Sequence, residues 1–303
     1  MIEIRHVPLD DPSSLALDNE VWVDEAVTAS DMDWIAGWFL RYETWLALED
    51  GEPHGAGFAG IPPHRHEVGA RIVVPQQHRG RGLGTRLWET ASAWAAERGY
   101  DELHAWVPGT DPDSLAWARR RGYVEIGRED LLVLDLATAE LPAPEPLAGI
   151  ELTSLARRPE LERGVYDVVS EAWPDIPGHA QDTIEPYEDW RRAFGDSGKF
   201  PPGGTALALA DGEVVGYAQL QIRAGNSAWH AMTGVKRSWR GRGIAGALKL
   251  SQLEWAKEAG IARITTMNET RNEPIRRLNE RLGYELGPGR IRVKGPLAPN
   301  VAP

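Results

Sequence analysis

A chain of 303 residues with 42% apolar and 26% charged content is long enough for two ordinary domains and reads as a globular protein. Its formal net charge of −12 argues against non-specific nucleic-acid binding, no apolar run approaches the ~18 residues of a membrane span, and no basic-then-apolar leader opens it, so a cytoplasmic home is expected. With zero cysteines, disulfides, thiolate metal ligands and cysteine nucleophiles are excluded.

In chain order, "TWLALEDGE" (44–52) and "GAGFAGIPP" (55–63) read as strands around a turn, and "EVGARIVVP" (67–75) as a third that Pro75 ends. "QHRGRGLGTRL" (77–87) is a glycine-rich loop that enters a helix, with Leu83, Leu87, Ala91, Trp94 and Ala95 at helical spacing until Gly99 stops it. "ELHAWVP" is a short strand, "DSLAWARRRGY" a short helix and "YVEIGREDLLVLDL" a further strand. "ATAELPAPEPLAG" (137–149), rich in Pro and Ala, lacks periodicity and reads as a linker. One domain is expected over 1–138, the linker over 139–148 and a second domain over 149–303. The second half presents strands "TALALADGE", "VVGYAQLQIR" and "AWHAMTGV", a loop, a helix from Ile244 to Ala259, then "ARITTMN" and the helical "NEPIRRLNERLGY". Strands in a run, then a helix joining two of them, predict an α/β (α+β) fold with mixed, mostly antiparallel sheets flanked by helices.

The halves are copies. Gly241 follows Gly80 by 241 − 80 = 161 residues, and the same offset carries Gly82 onto Gly243, Trp94 onto Trp255, Gly99 onto Gly260 and Tyr123 onto Tyr284. No gap is needed from Val74/Val235 to Tyr123/Tyr284, and a period of domain size means duplication rather than a solenoid.

Both copies place a glycine loop between a strand and a helix. Free N–H groups at a helix start, together with the positive end of its dipole, bind an anion such as a pyrophosphate. Glycines permit positive φ and let a phosphate approach the backbone, and Arg79, Arg81, Arg240 and Arg242 add charge. The spacing is neither a dinucleotide fingerprint nor a P-loop, so chemistry alone leaves the ligand open.

"VVPQQHRGRGLGTRL" and "VKRSWRGRGIAGAL" resemble the acyl-CoA-binding signature Q/R-x-x-G-x-G/A of the GNAT N-acetyltransferase superfamily: Gln77, Gly80 and Gly82 match it, and Ser238 replaces the leading residue before Gly241 and Gly243. "LAWARRRGY" and "NEPIRRLNERLGY" resemble the family's following helix. The resemblance implies two tandem GNAT domains that move acetyl from acetyl-CoA to the amine of a small molecule. The alternative is a degenerate tandem that binds coenzyme A as a scaffold or sensor without turnover.

The resemblance further implies that the strand before each loop splays from its neighbour, with Val73 and Val74, or Gly234 and Val235, along the pantetheine arm. The pyrophosphate then lies on Arg79, Gly80, Arg81, Gly82, Leu83 and Gly84, or on Arg240, Gly241, Arg242, Gly243, Ile244 and Ala245. Candidate bases are Glu67 and His230 on the strands leading to the loops, against the plainer readings of an exposed strand-end glutamate and a structural histidine. The family's tyrosine acid is missing, because Ala118 and Asn279 stand in its place, and Tyr123 and Tyr284 read as core aromatics. Asn268 and Asn272 flank a strand end beside the second cleft where the first half has Val107 and Asp111, and an aspartate would repel phosphate. That asymmetry favours the second half as the catalytic one. Between 171 and 194, Trp173, Asp175 and Asp182 belong to an acidic, aromatic segment suited to a cationic amine, or else to a solvated helix surface. His64 and His66 have metal-like spacing without a third ligand, so no metal is expected.

Overall fold

The computed structural model describes residues 1–63, 66–176, 184–223 and 225–299. In chain order its elements are β1 (Ile2–Val7), α1 (Pro12–Val21), α2 (Ala29–Ala36), β2 (Arg41–Glu49), β3 (Glu52–Ile61), β4 (Gly69–Val73), α3 (Leu83–Ala96), β5 (Glu102–Pro108), α4 (Pro112–Arg119) and β6 (Val124–Asp135). They continue with β7 (Glu151–Ser154), α5 (Glu162–Ala172), α6 (Tyr187–Trp190), β8 (Thr205–Ala210), β9 (Glu213–Arg223), β10 (Ser227–Val235), α7 (Ile244–Glu258), β11 (Arg263–Glu269), α8 (Glu273–Arg281), β12 (Glu285–Leu286) and β13 (Arg290–Pro296).

Two compact units result: unit 1 holds residues 1–128 and the stretch from Pro288 onward, and unit 2 holds 129–287. Each is a mixed sheet flanked by helices. Unit 1 runs β1-β2-β3-β4-β5-β13, antiparallel except for the β4–β5 pair. Unit 2 runs β7-β8-β9-β10-β11 and is completed by Glu129–Asp135 of β6, again with one parallel pair, β10–β11. Each sheet therefore takes its last strand from the other sequence repeat, a boundary that the composition of the 139–148 stretch does not mark.

Local chemistry builds both sheets alike. Asp50-Gly51 and Asp211-Gly212 connect β2–β3 and β8–β9, all four residues with positive φ. Such pairs match the right-handed twist of the flanking strands and fix the register of each hairpin. In β8 the period-2 alternation is complete: Leu207 and Leu209 pack with Val165, Val168 and Val169 of α5, while Ala206, Ala208 and Ala210 pack with Ile244 and Leu248 of α7. A strand covered on both faces is apolar on both. In unit 1, Leu83, Leu87, Ala91 and Trp94 of α3 join Trp45, Ala47 and Ala59 in one core, and Leu17 and Trp22 cover Leu46, Leu48 and Val73 on the opposite face.

Candidate functional site

In unit 2, β10 pairs with β11 only from Ser227↔Arg263 to Trp229↔Thr265. After a register shift between His230 and Met232, β10 continues to Val235 beside β9 alone, while β11 continues to Glu269 beside β6. The sheet opens between these strands, and backbone donors and acceptors along the two inner edges have no strand partner there. An extended ligand arm with amides of its own suits such an opening. His230 sits where the strands part, with only 3% of its surface exposed. Its Nε2 lies 3.0 Å from Thr233 Oγ1, its carbonyl accepts from Thr266 Oγ1 at 3.0 Å, and its Nδ1 has no partner among the described residues. Burial, and then the nearby charge of Lys249, push its pKa well below the usual histidine range, so the imidazole is neutral at neutral pH.

Gly234 and Val235 close β10, and a single 3-10 turn leads to Arg240, Gly241 (φ +74°) and Gly243 (φ +83°). Gly243 is the N-cap of α7, where no side chain caps the helix, so the donors of Ile244 and Ala245 begin the helix without a side-chain acceptor. Arg240 is held at both ends of its guanidinium: Nε donates to Val235 O at 2.9 Å and Nη1 lies 2.7 Å from Asp175 Oδ2. Arg237 grips the same carboxylate at 2.8 and 2.9 Å. Hydrogen bonds from Arg237, and then Arg240, hold the Asp175 carboxyl down at about 2. Arg242 lies over the Trp239 ring at 4.5 Å, donates to Ser238 O at 3.2 Å and makes no ion pair among the described residues.

Unit 1 repeats this build with different endings. β4 pairs with β5 only at Gly69↔His104 and Ala70↔Ala105, so Val73 and Val74 lie beyond the paired part. Gly80 (φ +79°) and Gly82 (φ +92°) again lead into a helix, α3, that no side chain caps, opening at Leu83 and Gly84. Arg79 Nε donates to Val74 O at 2.9 Å, the counterpart of the Arg240 bond. Both loop arginines are then neutralised: Arg79 by a two-pronged bond to Asp111 (3.1 and 2.7 Å), Arg81 by Glu49 at 2.9 Å. Burial works to raise the Asp111 pKa, but its bonds from Arg79 and Ser114 outweigh that and leave it lowered. The aspartate expected to repel phosphate thus has its charge spent on Arg79. Glu67 accepts from Arg292 Nη2 at 2.9 and 2.8 Å and lies 3.2 Å from His104 Nδ1.

Of the remaining expectations, Asn272 occupies the N-cap of α8 but makes no side-chain capping bond. Trp173 opens the turn after α5 that carries Asp175, and Asp182 and His64 lie outside the described residues. The His66 ring packs 5.0 Å from Tyr100. Asn268 is joined to a group that the pattern of the sequence hid. Asn279 Nδ2 donates to Asn268 Oδ1 at 2.6 Å, and the ammonium of Lys249 donates to Asn279 Oδ1 at 2.6 Å. Lys249 is 2% exposed although it reads as one more charged residue of α7. The signal was present in the repeat, since the matching position of the first half is Trp88, a core residue.

The family model described as "Acetyltransferase (GNAT) family" matches residues 10–123 and 163–284. Mycothiol acetyltransferase of Nocardiopsis dassonvillei is 28% identical over 275 residues, covering 80% of this chain and 78% of that protein. Its counterpart from Acidothermus cellulolyticus is 27% identical over 257 residues, covering 79% and 75%. Among solved structures, a GCN5-related N-acetyltransferase from Sphaerobacter thermophilus superposes with a TM-score of 0.79 at 23% identity over 100% of this chain and 98% of that one. A tandem GNAT protein of the clavulanic acid biosynthesis pathway gives 0.77 at 21% identity, over 99% and 100%. The chain belongs to the GNAT acetyltransferase family, as a tandem N-acetyltransferase with one copy of the fold in each half.

Proposed function

We propose that unit 2 moves the acetyl group of acetyl-CoA onto the amine of a small molecule, and that unit 1 is not the site of turnover. One observation carries the reading: the opening between β10 and β11 joins an uncapped helix start with two positive-φ glycines at one end to a buried, neutral histidine at the other. The glycines fit a phosphate that approaches the backbone, since a Cβ built on Gly241 meets nothing within 4 Å and only φ forbids it. Ile244 and Ala245 would donate to the pyrophosphate, with Arg242 adding charge, while Gly234 and Val235 would line the arm. Asn268 and Asn272 flank the end of β11 on the other side. His230 would take the proton that the amine loses, directly or through water. Orienting amine and thioester in one cleft supplies much of the acceleration.

Unit 1 keeps the loop shape, but Arg79, Arg81 and Glu67 are all engaged by internal partners. Relatives named for the small molecule mycothiol support a small-molecule acceptor. In the turn after α5, Trp173 offers an aromatic face to such an amine, and Asp175 braces the loop. The test is release of coenzyme A thiol from acetyl-CoA with a panel of small amines. Amine-dependent release supports transfer, and acetyl-CoA binding with no release from any amine would leave a coenzyme A sensor.

A further inference from the structure

The two repeats serve as controls for each other. The offset of 161 residues pairs Lys249, Asn268, Asn279 and Tyr284 of unit 2 with Trp88, Val107, Ala118 and Tyr123 of unit 1. In unit 1 all four are apolar core residues, with Trp88 Nε1 donating to Tyr123 Oη at 3.1 Å. The fold is therefore complete without a charged group or a side-chain amide at the first three positions. Unit 2 nevertheless buries a lysine (2% exposed) and an asparagine (0%) there. Taking an ammonium out of water is costly unless it is compensated. Its compensation among the described residues is meagre: one amide oxygen at 2.6 Å and the face of Tyr284 at 5.3 Å. A group retained against that cost, in one repeat only and beside the opening of the sheet, marks function.

Its direction is fixed by chemistry. Below pH ~7, where Lys249 is charged, its ammonium only donates, so Asn279 must present its oxygen to Lys249 and its amide hydrogens away from it. Asn268 takes one of those hydrogens at 2.6 Å and passes the polarity on, donating to Met267 O at 2.8 Å. Asn268 stands on β11 beyond Trp229↔Thr265, the last pair with β10, so the chain ends at the edge of the opening.

We propose that Lys249 is a positioning residue for acetyl transfer in unit 2: acting through Asn279, it fixes the orientation of the Asn268 amide at the edge of the opening where the thioester is cleaved, so that the Nδ2 hydrogen of Asn268 not given to Met267 O serves as a donor there. The step balances simply. The neutral amine forms a C–N bond to the acetyl carbon, the C–S bond breaks with its electron pair leaving on sulfur, and the surplus amine proton goes to the base or to water. Negative charge develops first on the carbonyl oxygen and then on sulfur, and donors whose direction is already fixed favour both. Desolvation also pushes the Lys249 pKa down to about 7.

The inference rests on unit 2 being the active one, and the experiment separates the two claims. Lys249→Met keeps the stem and removes the charge. Lys249→Met/Asn279→Ala removes both partners, so that Asn279 Oδ1 is not left orphaned although Asn268 Oδ1 loses its donor, and unit 1 shows that alanine packs at the second position. Folding is followed by thermal melting. Both variants are expected to melt within a few degrees of the parent and to bind acetyl-CoA within about twofold, while kcat measured below pH ~7, where Lys249 is charged, falls about ten- to a hundredfold, the range for losing a hydrogen bond to a charged group. Unchanged kcat in both folded variants, with Gly243→Glu inactive, overturns the role of Lys249 and leaves unit 2 as the site. Unchanged kcat together with an active Gly243→Glu overturns the placement in unit 2 as well. An equal loss of kcat and of acetyl-CoA binding would make Lys249 merely structural.

Discussion

A lysine buried in unit 2 makes the stability of the protein depend on pH in a direction opposite to that of a lysine held in an ion pair. Burial lowers Lys249 from 10.5 to about 7, so between these values the folded chain holds it neutral while the unfolded chain holds it charged. The unfolded state then binds more protons, and stability due to this group rises as pH rises through that window and is flat below it. At about 1.4 kcal/mol per unit, moving from pH ~7 to pH ~9.5 is worth about 3 kcal/mol. Tyrosines such as Tyr217 and Tyr284, raised by burial, pull the other way at the alkaline end, but they are common to parent and variant. The assay is urea unfolding of the parent and Lys249→Met at half-unit steps over this range, read as the difference between the two. The parent should gain about 3 kcal/mol on the variant. A difference that stays flat means that Lys249 titrates normally, and the desolvation argument fails.

Three further outcomes follow from the geometry. Asp175→Asn weakens the brace on Arg237 and Arg240, so the KM for acetyl-CoA should rise a few-fold with the amine KM constant; the reverse split in steady-state kinetics would assign Asp175 to the acceptor instead. Because its carboxyl is held at about 2, any contribution is constant above pH ~4 and is lost only as pH falls toward 2, and acetyl-CoA affinity measured from pH ~5 to ~8 should show no step from this group. Arg242→Ala should weaken acetyl-CoA binding and its salt dependence, whereas Arg81→Ala, already paired with Glu49, should change neither; calorimetry at two ionic strengths distinguishes them.

Much of the fold was legible because local chemistry and global architecture agree. Asp-Gly turns, the run of Leu83, Leu87, Ala91 and Trp94, and the stop at Gly99 each carry their own physical cause, and the fixed offset doubled every signal. The exchange of last strands was not legible, since Glu129–Asp135 and Arg290–Pro296 are comparable strands whose partners lie far away in sequence. The loops were readable from their glycines, which positive φ requires. The fates of the charged residues were not: Glu67 meets Arg292, 225 positions away, and Arg79 meets Asp111, with α3 and β5 between them in sequence. Lys249 was hidden because a lysine in a helix is usually solvated, and only the core position of Trp88 in the other repeat betrays it.

The central claim is that acetyl transfer runs on the loop of unit 2, and the most direct measurement compares Gly243→Glu with Gly82→Glu in amine-dependent thiol release. Both glycines sit at positive φ at a helix N-cap, where a built Cβ meets only Leu147 Cδ2 at 3.4 Å or Ile2 Cδ1 at 3.5 Å, so the steric insult is matched. A carboxylate about 5 Å from a phosphate opposes it by about 3 kcal/mol per charge at an effective dielectric of ~20, or about a hundredfold in affinity. Gly243→Glu should therefore lose about a hundredfold in kcat/KM for acetyl-CoA, with Gly82→Glu retaining most of the parent activity. Loss in Gly82→Glu with activity preserved in Gly243→Glu would contradict the account and place the chemistry in unit 1.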